Sequence, residues 1–289
     1  MKRSELRLGI YEKALPYGMS WRQRLGMAKR LGFDFVEMSI DETDERLARL
    51  HWTNAQRLEL VRDVCESGIP VPSICLSAHR RFPLGSKDSA VRTEALRIME
   101  DAIRLAVDIG VRVIQVAGYD EYYGMSDGQT DAWFLETYAR CERMAKRHQV
   151  MLSFEIMDTP YLSSVSRFME LKKRFPSCWT SVYPDVGNLS AWGGDLEREL
   201  RLGRDWITAV HLKDTIAVTA DAPGVFKEVA FGSGCVDFTK VFSVLRDIDY
   251  CGPFLIEMWS GKVPDPEPVV QSARQFMIDH MLRAGYLER

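Results

Sequence analysis

The sequence predicts a (β/α)8 barrel, the TIM-barrel form of the α/β class, as a single domain over residues 1–289. Three observations lead there. Short β-like apolar runs alternate with amphipathic helix-like runs from one end of the chain to the other, giving eight pairs. The 289 residues are 46% apolar and 27% charged without a break in composition, which suits one large core. The alternative, an open doubly wound sheet, lacks its usual mark, because no G-x-G-x-x-G follows the first strand.

The elements follow in order. The first strand falls within residues 6–15, and a helix over 20–31 follows, with Ser20 placed as its N-cap and Gly32 as its left-handed terminator. Strand two is 35–40. The helix at 53–66 carries Leu58, Val61, Val64 and Cys65 along one face and closes at Gly68. Strand three (71–78) precedes a long helix (89–109) ending at Gly110. Strand four (111–117), a helix (130–148), strand five (150–157) and a helix (163–174) that stops before Pro176 come next. Strand six (180–186), a short helix (196–202), strand seven (207–213) and its helix (238–247) lead to strand eight (254–259) and a final helix within 267–284. Residues 215–236 form the one long irregular stretch, placed where barrel active-site loops belong.

Charge narrows the function. The sum of 38 basic and 41 acidic residues is −3, which gives no electrostatic basis for nucleic-acid binding. No apolar run approaches the ~20 residues of a membrane span, and no apolar segment follows the basic N-terminal residues as in a secretory signal. The six cysteines are scattered, with no C-x-x-C, so the expectation is a reduced, cytoplasmic protein. A homodimer is compatible with the sequence and is not specified by it.

Four polar residues recur late in predicted strands: Glu155 after Val150-Met-Leu-Ser-Phe, Asp185, His211 and Glu257. Each alone reads as a solvated strand end or a hydrogen-bonded core group. Together they converge on one mouth of the barrel, and three neighbouring buried carboxylates demand protons or a cation. Three oxygen donors and an imidazole suit a divalent metal, Mn²⁺, Zn²⁺, Co²⁺ or Ni²⁺, with Zn²⁺ and Mn²⁺ foremost.

These strand-end residues, in this order, resemble the sugar isomerase/epimerase branch of the xylose-isomerase-like barrels, and most closely the L-ribulose-5-phosphate 3-epimerase family. The resemblance runs the whole length. It is carried by Leu8-Gly-Ile-Tyr-Glu-Lys-Ala-Leu-Pro16, Gly32-Phe-Asp-Phe-Val-Glu-Met38 and Cys75-Leu-Ser-Ala-His-Arg-Arg-Phe-Pro-Leu-Gly85. It continues in Val113-Ile-Gln-Val-Ala-Gly-Tyr119, Pro184-Asp-Val-Gly-Asn-Leu-Ser-Ala-Trp192, His211-Leu-Lys-Asp-Thr215 and Cys251-Gly-Pro-Phe-Leu-Ile-Glu-Met-Trp259. It implies a small phosphorylated ketopentose substrate in L-ascorbate and L-xylulose degradation, with Glu155 and Glu257 as acid/base groups at C3 and all four residues as metal ligands. A metal touching the C2 oxygen and C3 hydroxyl would stabilise a cis-enediolate. An aldose–ketose isomerase, or a 3-epimerase of an unphosphorylated ketose, is the alternative on the same barrel. Related epimerases of free sugars carry a His three residues after the metal-binding Asp, and Asn188 stands there instead, changing how substrate hydroxyls would be held.

For the phosphate, Gly232-Ser233-Gly234 precede the helix at 238 and could turn successive amides toward an anion. Lys213 and Lys227 are placed as helpers, and His79 with Arg80 form a second polar cluster at the mouth. Trp192 and Trp259 are candidate apolar walls.

Overall fold

The strands of the main sheet are short and buried along nearly their whole length, which a parallel sheet covered by helices requires. The computed structural model describes every residue except Arg3, Lys262 and Arg289. In chain order the elements are β1 (Leu8–Tyr11), α1 (Trp21–Arg30), β2 (Phe35–Ile40), α2 (Asp44–Leu47), α3 (Asn54–Ser67), β3 (Ser73–Leu76), α4 (Ser89–Ile109) and β4 (Val113–Ala117). They continue with α5 (Gly128–His148), β5 (Met151–Glu155), α6 (Val165–Arg174), β6 (Thr180–Tyr183), α7 (Val186–Ala191), α8 (Leu196–Gly203) and β7 (Val210–Leu212). The last are β8 (Asp214–Ile216), β9 (Val225–Val229), α9 (Phe238–Asp247), β10 (Phe254–Ile256) and α10 (Pro266–Arg283).

Eight parallel strands run in the order β6-β5-β4-β3-β2-β1-β10-β7. Parallel bridges Val182↔Ile207 and Asp185↔His211 join the two ends of that sheet and complete the ring, so the barrel expected from the sequence is the observed fold. The second bridge sets two of the four candidate residues side by side. The local signals also hold. Ser20 caps α1 in a reciprocal box with Gln23, and Gly32 takes φ 76° just beyond that helix. Among the described residues no helix is long and apolar enough to cross a membrane.

Alternation along the strands divides the core in two. Residues such as Val36 and Met38 pack outward against the helices in one large apolar cluster. Glu37 and Phe35 share the other face of β2, and Glu37 reaches His211, so that face lines the barrel interior. A small apolar group, Tyr11, Phe35, Cys75 and Leu255, forms a separate cluster there, with Trp259 packed on it.

Three expectations change. The strand expected at 180–186 ends at Tyr183, because Asp185 caps the short helix α7, its carboxylate accepting from the Asn188 amide at 2.9 Å. The strand expected at 71–78 gives way at Ser77 to a 3-10 turn, Ser77–Arg80. The irregular stretch 215–236 holds an antiparallel hairpin, β8 with β9.

Candidate metal centre and active site

Glu155 is the last residue of β5, Asp185 the cap of α7, His211 the middle of β7, and Glu257 the first residue beyond β10. All four are buried, and one ligand atom from each lies within 4.8 Å of the others. The structure thus brings together the four residues that the sequence grouped.

His211 organises the cluster. Its Nδ1 faces the carboxylates, 3.1 Å from Glu155 Oε1, 3.7 Å from Glu257 Oε2 and 3.9 Å from Asp185 Oδ2. Its Nε2 faces away, 3.2 Å from Glu37 Oε1. Glu37 is fully buried and its other oxygen accepts from the Ser73 hydroxyl at 2.5 Å and the Tyr183 hydroxyl at 3.2 Å. A carboxylate accepting Nε2–H leaves Nδ1 free to bind a cation, which is the supporting pattern common behind metal-binding histidines. Gln115 on β4 does the same for Glu155, donating its amide to Oε2.

The electrostatics strain without a cation. Burial disfavours the His211 imidazolium, yet hydrogen bonds to Glu155 and Glu37 outweigh it and lift the pKa well above the usual histidine range. Burial raises the Asp185 carboxyl to about 7 despite the neighbouring Lys213 ammonium. Burial also works against the Glu257 carboxylate, but Lys213 and His211 overcome it and draw its pKa down to about 2. Lys213 Nζ lies 2.7 Å from Asp185 Oδ2 and 2.9 Å from Glu257 Oε2. The two oxygens thus share a single buried ammonium. Three buried carboxylates converging on one imidazole, with a single ammonium shared between two of them, fit a divalent cation.

Over the cluster lies a small cavity of about 40 Å³ lined by Glu155, Glu257, Lys213, Asn188, Arg80 and Lys227, among others. A larger cleft of about 510 Å³, mostly apolar, shares Lys213, Glu257 and Trp259 with it. Asn188 donates its side-chain amide to the Ile156 carbonyl at 2.8 Å, and its buried Oδ1 has no partner among the described residues. That oxygen is an acceptor available to a substrate hydroxyl.

Other expected residues sit elsewhere. The Gly232-Ser233-Gly234 loop offers no open anion nest. Asp214 Oδ2 accepts from the Gly232 amide at 2.8 Å and the Gly234 amide at 3.0 Å, and the Ser233 amide bonds the Ala230 carbonyl. Its own carboxylate already fills the place that a phosphate would take. His79 is a buried core residue, with Nε2 3.2 Å from the Ala95 carbonyl on α4, and burial lowers its pKa to about 4. It does not line the cavity. Trp192 donates to the Met157 carbonyl at 3.0 Å and packs against Phe226, 5.6 Å between ring centroids, so it supports the hairpin; Trp259 does line the cavity.

Glu37, Gln115 and Asp214 were not singled out by sequence reasoning. A signal existed for the first two, since Glu37 is the one charged residue of β2 and Gln115 the one polar residue of β4, and such buried groups must find a partner. For Asp214 the partners are backbone amides 18 to 22 residues away, which no local pattern announces.

A parallel barrel with this polar cluster at its C-terminal mouth defines a class, and the chain belongs to the xylose isomerase-like TIM barrel family, whose model matches residues 25–280. Similar solved structures include D-psicose 3-epimerase from Clostridium cellulolyticum H10 with D-tagatose (TM-score 0.78, 16% identity, covering 96% of this chain and 99% of that one). An L-ribulose 3-epimerase structure gives TM-score 0.76 at 18% identity, covering 97% and 96%. UlaE of Escherichia coli K12, an L-ribulose-5-phosphate 3-epimerase, is 51% identical over 288 residues, covering 100% of this chain and 99% of its own. SgbU of the same strain is 53% identical over 280 residues, covering 97% and 98%. Within the barrel family this chain is therefore a member of the L-ribulose-5-phosphate 3-epimerases, epimerases of the isomerase class.

Proposed function

We propose that the protein interconverts L-ribulose 5-phosphate and L-xylulose 5-phosphate by inverting C3, with Glu155 and Glu257 as the two acid/base groups. The observation that carries this is their convergence, with Asp185 and His211, on one buried point in a chain so similar to UlaE. The associated pathway, L-ascorbate and L-xylulose degradation, rests on that kinship alone.

Inversion beside a ketone needs a proton removed from one face of C3 and another delivered to the opposite face. One glutamate takes the C3 proton, leaving an enediolate, and the other returns a proton from the far side. Glu257, held ionised by Lys213 and His211, is ready to act as a base. Asn188 Oδ1 and Lys213 are positioned to hold substrate oxygens at the cavity floor. A divalent cation held by Glu155, Asp185, His211 and Glu257 would supply Lewis-acid stabilisation of the charge developing on the C2 oxygen.

Proton NMR in D2O tests the reading. Deuterium should enter product at C3 and at no other carbon, and Glu155→Gln and Glu257→Gln, checked for metal content, should each slow epimerisation by about 10²–10⁴-fold. Incorporation at C1 would establish aldose–ketose isomerisation instead. A double variant epimerising at the original rate would remove both glutamates from the chemistry.

A further inference from the structure

The ring of strands is fully laddered except at one edge. Every neighbouring pair from β6 through β1 to β7 runs three to five registered residue pairs. Where β6 meets β7, two isolated bridges take the place of a ladder, Val182↔Ile207 and Asp185↔His211. From one bridge to the next, one side runs from 182 to 185 and the other from 207 to 211, so the register slips by one residue, as at a bulge. The cause is local. Pro184 has no N–H to give to a ladder, and Asp185 turns the chain into α7 immediately afterwards.

Backbone bonds across this seam are sparse. The Thr208 amide donates to the Val182 carbonyl at 3.0 Å, and the His211 amide to the Pro184 carbonyl at 2.9 Å. The Thr208 hydroxyl, bonded to Val182 and Ser153, ties the lower end, and the Thr215 hydroxyl donates to the Gly187 carbonyl at 2.8 Å near the upper end. The four residues of the metal centre straddle the seam. Glu155 on β5 and Asp185 just after β6 stand on one bank, while His211 on β7 and Glu257 just after β10 stand on the other. Within each bank the strands are laddered, β5 to β6 and β7 to β10. At the level of the cluster, side chains reach across instead: His211 Nδ1 to Glu155 at 3.1 Å and Lys213 Nζ to Asp185 at 2.7 Å.

We propose that the divalent cation is the clasp of this seam: held by two ligands from each bank, it stands in for the missing ladder, and the β6–β7 edge opens only when the ion is released. An opening that splits four ligands into two pairs destroys the site, so free metal must suppress that opening in proportion to its concentration. The clasp rests on the cluster's fit to a cation and not on the reaction. On the epimerase reading it has a further consequence, because Glu155 and Glu257 lie on opposite banks and seam closure then sets the gap in which C3 must sit.

Residue-resolved amide hydrogen exchange of the full-length wild type tests this, measured over a series of free Mn²⁺ or Zn²⁺ concentrations and at several low urea concentrations. With free metal at about a hundred times Kd, the Thr208 and His211 amides should exchange about a hundredfold more slowly than in chelated protein, both in inverse proportion to free metal. Opening one edge exposes little surface, so their rates should barely respond to low urea, whereas amides of the fully laddered β5 should respond steeply as they exchange through global unfolding. Seam amides indifferent to free metal would mean that the edge opens with the ion in place. Slowing at His211 without Thr208, three residues away, would mean that the ion only stiffens its neighbours. A urea response at the seam as steep as that of β5 would mean that no separate opening exists. Each of these overturns the clasp and leaves the epimerase reading to its own test in D2O. A protein that binds neither metal would overturn the clasp together with the cation on which it rests.

Discussion

Replacing Glu37, which touches no substrate-lined cavity, should weaken metal binding in two distinguishable degrees. In Glu37→Gln one amide oxygen can still accept from His211 Nε2, because the hydroxyls of Ser73 and Tyr183, which donate to the other oxygen, can rotate to accept from the new NH2 group. What is lost is the negative charge that fixes the tautomer, and supporting carboxylates of this kind contribute about 10- to 100-fold in metal affinity. Glu37→Gln should fall near the lower end, about 1.4 kcal/mol. Glu37→Leu removes the acceptor of three buried donors at once, each costing about 1–3 kcal/mol when unsatisfied. It should lose affinity near the hundredfold end and also lower the melting temperature of the metal-free protein. Competition against a chromogenic chelator with Zn²⁺ or Mn²⁺ gives the affinity, and a thermal melt gives the stability. Wild-type affinity in Glu37→Gln, or equal losses in both variants, would refute the tautomer argument.

Two further outcomes follow from groups outside the cluster. Asp214→Asn should release the loop at 232–236, since an amide cannot accept from the Gly232, Gly234 and Val236 amides as a carboxylate does, at a cost on the order of 3 kcal/mol of local stability; faster amide hydrogen exchange confined to residues 225–236 would show it. Gly234→Ala should reproduce that effect, because a Cβ there meets the Asp214 carboxylate and the Thr215 carbonyl. His79, with its folded pKa lowered by burial to about 4 from an ordinary value near 6.5, binds its proton more readily when unfolded. Its contribution is therefore complete above pH ~6.5 and is lost as pH falls toward 4, up to the order of 3 kcal/mol. His79→Gln keeps a donor for Ala95 and should flatten the fall in urea stability between pH 7 and 4.5; an unchanged slope would show that other groups carry the acid sensitivity.

The barrel was legible because its evidence is distributed. Eight alternations of period, and caps such as Ser20 and glycines such as Gly32, each report locally on the same architecture. The metal cluster was legible for a related reason: strand ends of a parallel barrel meet, so residues remote in sequence acquire a shared address. The phosphate loop misled because the string Gly-Ser-Gly specifies what a backbone can do and not which anion will occupy it; Asp214 reached it first. His79 misled through its neighbour, since consecutive residues of the 3-10 turn point apart, one into α4 and the other into the cavity. Glu37 and Asp214 act through partners that only folding brings near, and their roles are invisible in one sequence.

The same contrast explains how one barrel can serve different ketoses. Solved structures at 16% and 18% identity share this chain's fold with TM-scores of 0.78 and 0.76, so most side chains can change while the frame persists. Strand ends are held by the hydrogen-bonded ladder and by packing on both faces, which suits them to chemistry that tolerates little displacement. Loops and hairpins answer to fewer constraints, and here they carry part of the lining of the cavity over the cluster: Arg80 on a turn, Lys227 on the hairpin, Asn188 on the first turn of α7. Interactions of such a lining with a ligand can be revised without touching the buried carboxylates, yet their binding energy would still bear on the proposed reaction by positioning the reacting carbon. Chemistry fixed on the frame and recognition placed on its attachments is therefore the division of labour that the packing itself favours.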